Sequence, residues 1–514
     1  MNGAEHLVET LTDQGVEICF ANPGTSEMHF LAALENPRIK PVLCLFEGVA
    51  TGAADGWYRM KDAPAATLLH LGPGLANGLA NIHNARRASS GMVNVVGEHS
   101  AAHLRYDPPL MSDIEGLARP LSHWVRRIDG PQAVATDVAA GVAKANEHPG
   151  RIATLILPGD ASWRDAGEIV RQPKPQRAMR APDQARVEQV ARVLRSGEPA
   201  LIILANKATR GAALALAGRV AGAAGCRVGS QFFTARMERG AGRTPLERIP
   251  YSVAPALAFL KDFKHLITVE TTEPVAFFSY PDQPSLLKAP GTQVHPLAEA
   301  DEDSTAALAM LLDLLGPGDA PLVQQRIDTP APTGALTPVA IACALAAAIP
   351  EGCIVVDESL TTGRETMGHM AGAPPHDMIN NMGGSIGYSP PVATGAALAC
   401  PDRRTFCMTG DGSAMYTIQA LWTQAREQLP ITTIIFANNS YAILKAEFAN
   451  MGAGSAPGPR ASSMIDLTNP TIDWQAMARA MGVPAVAVDT AEDFHAQLVR
   501  STHADGPVLI EVRL

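Results

Sequence analysis

The sequence predicts an α/β protein of three domains, each a parallel sheet flanked by helices. Three observations carry this. Short apolar runs alternate with helix-period segments along the first, middle and last thirds of the chain. Many of those runs end on Gly, Asn, Asp, Glu or His, as strands do when they open into a ligand crevice. Two polar, proline-bearing stretches, 167–183 and 316–335, interrupt the pattern and read as linkers. The expected domains are therefore 1–166, 184–316 and 336–514 of a 514-residue chain.

In the first third, Leu7, Val8 and Leu11 followed by Gly15 predict a helix over 5–14 and its cap. A strand at 16–20 leads into the turn Asn22-Pro23-Gly24-Thr25, and a helix follows with Met28, Phe30, Leu31 and Leu34. A buried strand at 41–46 ends at Glu47, and small residues at 48–60 form a helix. A strand at 65–69 ends at His70, then come Gly72-Pro73-Gly74, a helix at 77–87 and a strand at 92–96. A helix at 131–146 and a strand at 152–157 complete the domain. Thr25, Glu47 and His70 thus lie at or just beyond strand carboxyl ends. A carboxylate there is placed to share a proton with a heterocycle nitrogen. Taken singly, Glu47 also reads as a helix N-terminal carboxylate, and His70 as a hydrogen-bonded loop histidine. The segment 98–124, with His99, His103 and His123, reads either as an active-site loop or as a solvated connection.

The middle third predicts a helix at 184–195, a strand at 200–204, a helix at 211–225 and a strand at 266–270. The strand at 201–204 runs into Ala205-Asn206-Lys207-Ala208, which is no glycine fingerprint, so FAD is not expected. In the last third a strand at 354–356 ends at Asp357-Glu358-Ser359, followed by Thr361. Asn380-Asn381-Met382-Gly383-Gly384-Ser385-Ile386-Gly387 then precedes a small-residue helix at 391–398. A strand at 404–409 ends at Gly410-Asp411-Gly412-Ser413, and the next helix carries Met415, Ile418, Leu421 and Trp422. A second apolar strand, 431–437, ends at Asn438-Asn439, and a strand at 507–512 closes the sheet. Glycines let backbone approach a phosphate, and Asp411 with Asn438 supplies hard oxygen ligands for Mg²⁺ or Ca²⁺ bridging a diphosphate. Gly-Asp-Gly alone is an ordinary turn; its pairing with Asn-Asn at the end of the following strand is the specific signal.

Composition excludes several classes. Hydrophobic residues at 46% and charged residues at 18% describe a globular protein with large cores. A net charge of −10 offers no basic footprint for nucleic acid or an anionic membrane. No apolar run reaches transmembrane length, and no basic stretch followed by an apolar run opens the chain, so a cytoplasmic location is expected. Seven scattered cysteines without a CxxC pair read as reduced thiols, mostly in the core.

Asn22-Pro-Gly-Thr25, Phe46-Glu-Gly48 with Ala53-Ala-Asp-Gly-Trp-Tyr-Arg59, His70-Leu-Gly-Pro-Gly-Leu-Ala-Asn77 and the Gly410-Asp-Gly-Ser413…Asn438-Asn439 pair occur in this order. In these motifs the chain resembles the thiamine diphosphate (ThDP) enzymes of the 2-oxo acid decarboxylase and acetolactate synthase type. The resemblance implies pyrimidine-binding, central and diphosphate-binding domains, with ThDP and Mg²⁺ as cofactors and Ca²⁺ able to substitute. It implies that Glu47 contacts N1′ of the aminopyrimidine. Thr25 matches a serine of benzoylformate decarboxylases that contacts the substrate carboxylate, and His70 matches an active-site histidine of theirs. Gly72-Pro73-Gly74 looks more like acetolactate synthases. Gly384 would offer its carbonyl to the pyrimidine, and Ile386 would wedge beneath the cofactor. Thr361, Gly410, Asp411, Gly412 and Ser413 would hold the diphosphate. Asp411, Asn438 and the Ser440 carbonyl would bind the metal, and Tyr441, Ile443 and Leu444 would line the site. The implied assembly is a homodimer or homotetramer with sites at the subunit interface. The implied reaction is decarboxylation of a small 2-oxo acid to an aldehyde, with carboligation to a 2-hydroxy ketone as a competing outcome. The alternatives are an acetolactate synthase-like carboligase and a non-catalytic ThDP-binding regulatory protein. Asn380 and Glu447 stand where benzoylformate decarboxylases carry aromatics, and Phe277-Phe278-Ser279-Tyr280 lacks their second histidine. A smaller or more polar substrate than benzoylformate is therefore expected.

Overall fold

A computed structural model describes residues 1–174, 178–316, 318 and 320–514. The parts of the two expected linkers at 175–177, 317 and 319 lie outside the described residues. The chain folds into three α/β domains. The first sheet is all parallel, in the order Lys40–Leu43, Ile18–Ala21, Ala65–Leu69, Met92–Glu98, Ile152–Pro158, Trp124–Arg127. Its inner strands are buried on both faces, which is why they read as unbroken apolar runs. The central sheet runs Glu247–Arg248, Arg227–Ser230, Ala200–Leu204, His265–Val269, Gln293–Ala298, also parallel. The third runs Ala485–Val488, Val508–Arg513, Ile431–Ala437, Thr405–Gly410, Ile354–Glu358, His376–Asn380 and, antiparallel at its edge, Met237–Arg239. That last strand comes from the middle third of the chain and sews the central domain to the third. A three-residue edge strand carries no periodicity, so no pattern in the residues marks it.

Several boundaries differ from expectation. The strand expected at 41–46 is Lys40–Leu43, an edge strand paired on one side only, with Leu45 exposed. Helix Glu47–Lys61 begins at Glu47 itself. The helix expected from 77 begins at Leu71; Pro73 sits in its first turn, where no backbone donor is required. The helix expected after Gly-Asp-Gly-Ser is broken into Asp411–Ala414 and Ala420–Arg426, with Thr417 Oγ1 in the gap donating to Gly387 O at 2.8 Å. All seven cysteines are free thiols. Among the described residues no helix is long and apolar enough to cross a membrane.

Helix Glu47–Lys61 is the mechanical centre. All but its last residue are buried, because small residues let it lie directly against helix Ser389–Ala399. A Cβ on Gly395 would come within 1.8 Å of Ala53 O, and one on Gly56 within 2.0 Å of Val392 O. The cores of the first and third domains are consequently one cluster. Within this contact Arg59 donates from Nε and Nη2 to Asp55, at 2.8 and 2.7 Å. Its Nη1 donates to Ala235 O, Asn380 O and the Tyr388 hydroxyl at 3.0, 2.7 and 3.0 Å. One guanidinium thus ties three domains together. Breaking a buried pair by deleting one partner strands the other charge. Arg59→Met is expected to lower the stability of the fold by about 3–5 kcal/mol in urea denaturation, and replacing Asp55 as well should recover part of the loss. An unchanged midpoint would contradict this.

Candidate active site

Strands Thr405–Gly410 and Ile431–Ala437 are direct neighbours, with Gly410 paired to Phe436. Asp411 and Asn438 therefore emerge side by side. Asp411 is 2% exposed. Its Oδ1 accepts from Gly412 N at 2.8 Å and its Oδ2 from Asn439 N at 2.6 Å. Burial holds its carboxyl above the usual carboxylate range, and these two N–H groups only partly offset that. Asn438 Oδ1 accepts from Ser440 N at 3.0 Å, and Asn439 turns the chain at φ 53°. Ser440 Oγ is buried without a hydrogen-bond partner among the described residues. One carboxylate, one amide oxygen and a serine are a donor set that suits a hard cation. Among the described residues no group of three or more His, Cys, Asp or Glu is assembled for a metal, so carbonyls, water and phosphate would complete the shell.

These residues open onto a cavity of about 390 Å³. Thr361, Ile386, Gly410, Asp411, Gly412, Ser413, Asn438, Ser440, Tyr441, Ile443 and Leu444 all line it. Gly412 is required there: a Cβ would lie 2.4 Å from the Tyr441 ring. Leu360, Tyr416 and Met464 also line it and were not foreseen. Tyr416 and Met464 are 53% and 79% exposed, apolar surface left uncovered beside a polar cradle. Gly384 is not in the cavity wall. At φ 76° it faces Phe277, whose ring lies 2.9 Å from where a Cβ would stand, and Asn381 Oδ1 accepts from its N–H at 2.9 Å.

Glu358, buried at the end of strand Ile354–Glu358, was read only as part of a strand end. Its Oε2 accepts from Tyr388 N, Ser389 N and Ser389 Oγ at 3.1, 3.0 and 3.0 Å, closing the N-terminus of helix Ser389–Ala399. Burial nevertheless pushes its carboxyl up to about 7, these donors acting against it.

The first domain carries a separate cluster. Glu47 is the first residue of its helix and 6% exposed. Asn77 Nδ2 donates to its Oε2 at 3.0 Å, and its Oε1 lies against Gly74. His70 Nδ1 is 2.9 Å from Glu27 Oε2 and 3.4 Å from Ser26 Oγ. Leu71, at φ 50°, makes a sharp turn just after His70, whose imidazole lies against Gly24. Glu27, 1% exposed, also accepts from Gly24 N at 2.9 Å and Ser26 Oγ at 2.5 Å. It was missed because a buried carboxylate three residues past a Gly-Thr turn looks like an ordinary first-turn acid. Thr25 opens the same turn and is exposed. Within one chain Glu47, His70 and Thr25 do not line the Asp411 cavity. One chain thus carries two separate clusters.

The segment 98–124 reaches the His70 half. Gly72 packs so closely on Ser112 that a Cβ would sit 1.7 Å from its Oγ. His123 has a different part. Its Nδ1 accepts from Ile152 N at 3.0 Å, and burial followed by nearby Arg86 and Arg151 pushes it down to about 4, the neutral form an acceptor needs.

Asn380 and Glu447, expected beside the substrate, each have a partner of their own. Asn380 is 3% exposed and its Oδ1 accepts from Thr234 Oγ1 at 3.2 Å. Glu447 Oε2 accepts from the Tyr280 hydroxyl at 3.0 Å. Neither lines the cavity. Phe277 instead heads an aromatic wall, with ring centroids 4.8 Å from Phe278, 5.6 Å from Tyr251 and 5.7 Å from Phe233.

Comparison with known proteins agrees with this geometry. The profile "Thiamine pyrophosphate enzyme, N-terminal TPP binding domain" matches residues 1–117, and its C-terminal TPP binding counterpart matches 362–512. A Mycobacterium tuberculosis (strain ATCC 25618 / H37Rv) protein named "Putative acetolactate synthase large subunit IlvX" is 49% identical over 514 residues, covering 100% of this chain and 99% of its own. Benzoylformate decarboxylase of Pseudomonas aeruginosa is 28% identical, covering 98% and 97%. In fold, the chain is similar to a Rhodococcus jostii RHA1 ThDP-dependent 4-hydroxybenzoylformate decarboxylase, with TM-score 0.85, 24% identity and coverage of 100% and 99%.

Two outcomes follow. Asp411→Ala removes the one carboxylate of this Asp-Asn-Ser donor set; ThDP affinity at fixed Mg²⁺ should fall by more than about 100-fold in calorimetry while the apo fold persists. Glu358 binds its proton more tightly folded, at about 7, than unfolded, at about 4.3. Its stabilising contribution is therefore full below about pH 4.3 and is lost as pH rises through about 7. Relative to Glu358→Gln, the wild type should lose on the order of 3 kcal/mol across that window. Parallel stability–pH curves for the two proteins would refute it.

Proposed function

We infer that this chain, which belongs to the thiamine pyrophosphate enzyme family, is a ThDP-dependent 2-oxo acid decarboxylase with carboligase capacity. The observation that carries the reading is the pair of half-sites. One holds a nearly buried carboxylate, Glu47, and the other an Asp-Asn-Ser oxygen cradle beside glycine backbone. Since Glu47 does not reach the Asp411 cavity of its own chain, a second copy brings the halves together, and the working unit is at least a dimer.

ThDP, once bound, supplies the electron sink for loss of CO₂. The residues do the rest. Asp411, Asn438 and the Ser440 carbonyl would hold Mg²⁺, which would neutralise a bound diphosphate. Thr361, Gly410, Gly412 and Ser413 would meet that diphosphate. Ile386, with Tyr441 and Ile443, would shape the apolar side, and Gly384 would offer its carbonyl to the pyrimidine. Glu47, fixed by Asn77, would hold the proton it shares with the pyrimidine nitrogen. His70, oriented by Glu27, moves protons at the substrate, and Thr25 meets the substrate carboxylate. The aromatic wall at Phe277 favours a 2-oxo acid with an apolar or aryl side chain, in line with the names of the Pseudomonas and Rhodococcus relatives. Carboligation in the acetolactate synthase manner is the second reading, favoured by Gly72-Pro73-Gly74 and by the Mycobacterium relative's name.

Product analysis from benzoylformate, pyruvate and branched 2-oxo acids, with ThDP and Mg²⁺, separates aldehyde release from hydroxy-ketone formation. Glu47→Gln should cut kcat/KM by about 10²–10⁴-fold without unfolding, because an amide cannot exchange the proton. Co-expression of Glu47→Gln with Asp411→Ala should restore activity that neither has alone. Failure of that rescue, with both variants folded and assembled, would sink the two-chain site.

A further inference from the structure

Helix Ala442–Asn450 forms one wall of the cavity at Asp411, through Ile443 and Leu444 in its first turn. It has 9 residues, and isolated helices below about 12–15 residues are marginal in water. None of its residues is buried. Packing therefore does not hold this wall, and its order comes from contacts at its ends. Left-handed residues flank it, Asn439 at φ 53° before and Gly452 at φ 74° after, so the chain turns sharply on both sides. The entering end is fastened by backbone. Tyr441 N donates to Ile465 O at 2.9 Å, and Leu467 N to Asn439 O at 2.9 Å.

The leaving end is fastened by another domain. The Tyr280 hydroxyl donates to Glu447 Oε2 at 3.0 Å. Among the described residues this is the one side-chain hydrogen bond that joins the helix to another segment. The other oxygen, Oε1, accepts only from Asn450 of the same helix, at 3.5 Å. Tyr280 is a firm post. Its loop exposes Phe277 and Phe278, yet Tyr280 itself is 7% exposed and belongs to the central domain's core with Ile249, Val253 and Leu287. Pro281 continues the contact: a Cβ on Gly452 would lie 3.5 Å from its ring. A phenol rooted in one core thus ends on a carboxylate of a helix that has no core of its own. Hydrogen bonds to a charged acceptor are among the stronger kinds.

We propose that Tyr280 and Glu447 are positioning residues of the cofactor cavity: their bond sets the angle of helix Ala442–Asn450, and with it the place of Ile443 and Leu444. The inference rests on the assignment of that cavity to ThDP. Neither residue lines the cavity, so both act through the helix. Losing the bond frees the helix to pivot about Asn439 and to fray from Asn450. It strands no buried charge, because Glu447 is half-buried and turns to water. The effect falls on the cavity and not on the stability of the whole fold.

Amide hydrogen exchange of the protein without ThDP reads the helix directly. Tyr280→Phe keeps the ring in its core and deletes the donor. Amides from Ala446 to Asn450 should exchange at least about tenfold faster than in the wild type, with the thermal midpoint unchanged. Calorimetry at fixed Mg²⁺ reads the cavity. Tyr280→Phe and Glu447→Ala should each weaken ThDP binding by about tenfold, and the double variant by no more than either single one. Glu447→Gln keeps an acceptor oxygen and should stay within about threefold of the wild type. Wild-type exchange in Tyr280→Phe, multiplied losses in the double variant, or a Glu447→Gln as weak as Glu447→Ala would overturn the proposal. A wild-type chain that bound no ThDP would sink the cofactor reading, and the exchange measurement would still decide whether Tyr280 holds the helix.

Discussion

The buried Arg59–Asp55 pair governs how the three domains sit. A guanidinium taken out of water is tolerated only when its N–H groups find acceptors. Asp55 takes two of them, and the remaining acceptors belong to Ala235 in the central domain and Asn380 and Tyr388 in the third. Moving any domain strands a charged donor. The requirement is compatible with close helix packing only because Gly56 and Gly395 leave no side chain between the two helices. Glu47 stands at one end of the helix so fixed, and Asp62, held by the central domain's Arg210, at the other.

Three buried acids near the half-sites show how partners divide labour among identical groups. Glu27 accepts from backbone and hydroxyl donors and leaves an oxygen on the His70 imidazole, so it orients that ring. Glu358 spends its acceptors on a helix N-terminus and has a structural task. Asp411 accepts from two backbone N–H groups yet remains destabilised as an anion by burial, the condition under which a cation is most welcome. Charge type alone does not distinguish them; the direction from which each is approached does.

Substrate preference shows the same point on the apolar side. Chain position suggested that Asn380 and Glu447 replace aromatic residues in the pocket, but the first is turned to Thr234 and the second to Tyr280. The rings of Phe233, Tyr251, Phe277 and Phe278 gather instead from three loops of the central domain that carry no helix or strand pattern. The Phe277 ring at the edge of this group borders Gly384.

The sequence by itself determined the alternation of strands and helices, the three-domain plan and the pairing of Gly410-Asp411-Gly412 with Asn438. Those features are local: a buried parallel strand must be apolar throughout, and a glycine turn next to an acid declares itself within a few residues. Asp411 and Asn438 were legible together because adjacent strands in a βαβ unit bring their ends side by side. Only the tertiary structure decided that Met237–Arg239 crosses to the third sheet, that Glu27 lies beneath His70, that Gly384 faces Phe277, and that the Glu47 and Asp411 half-sites of one chain are apart. Each of these depends on groups far apart in sequence meeting acceptors or filling space, and no periodicity within a segment encodes where its distant neighbour will be.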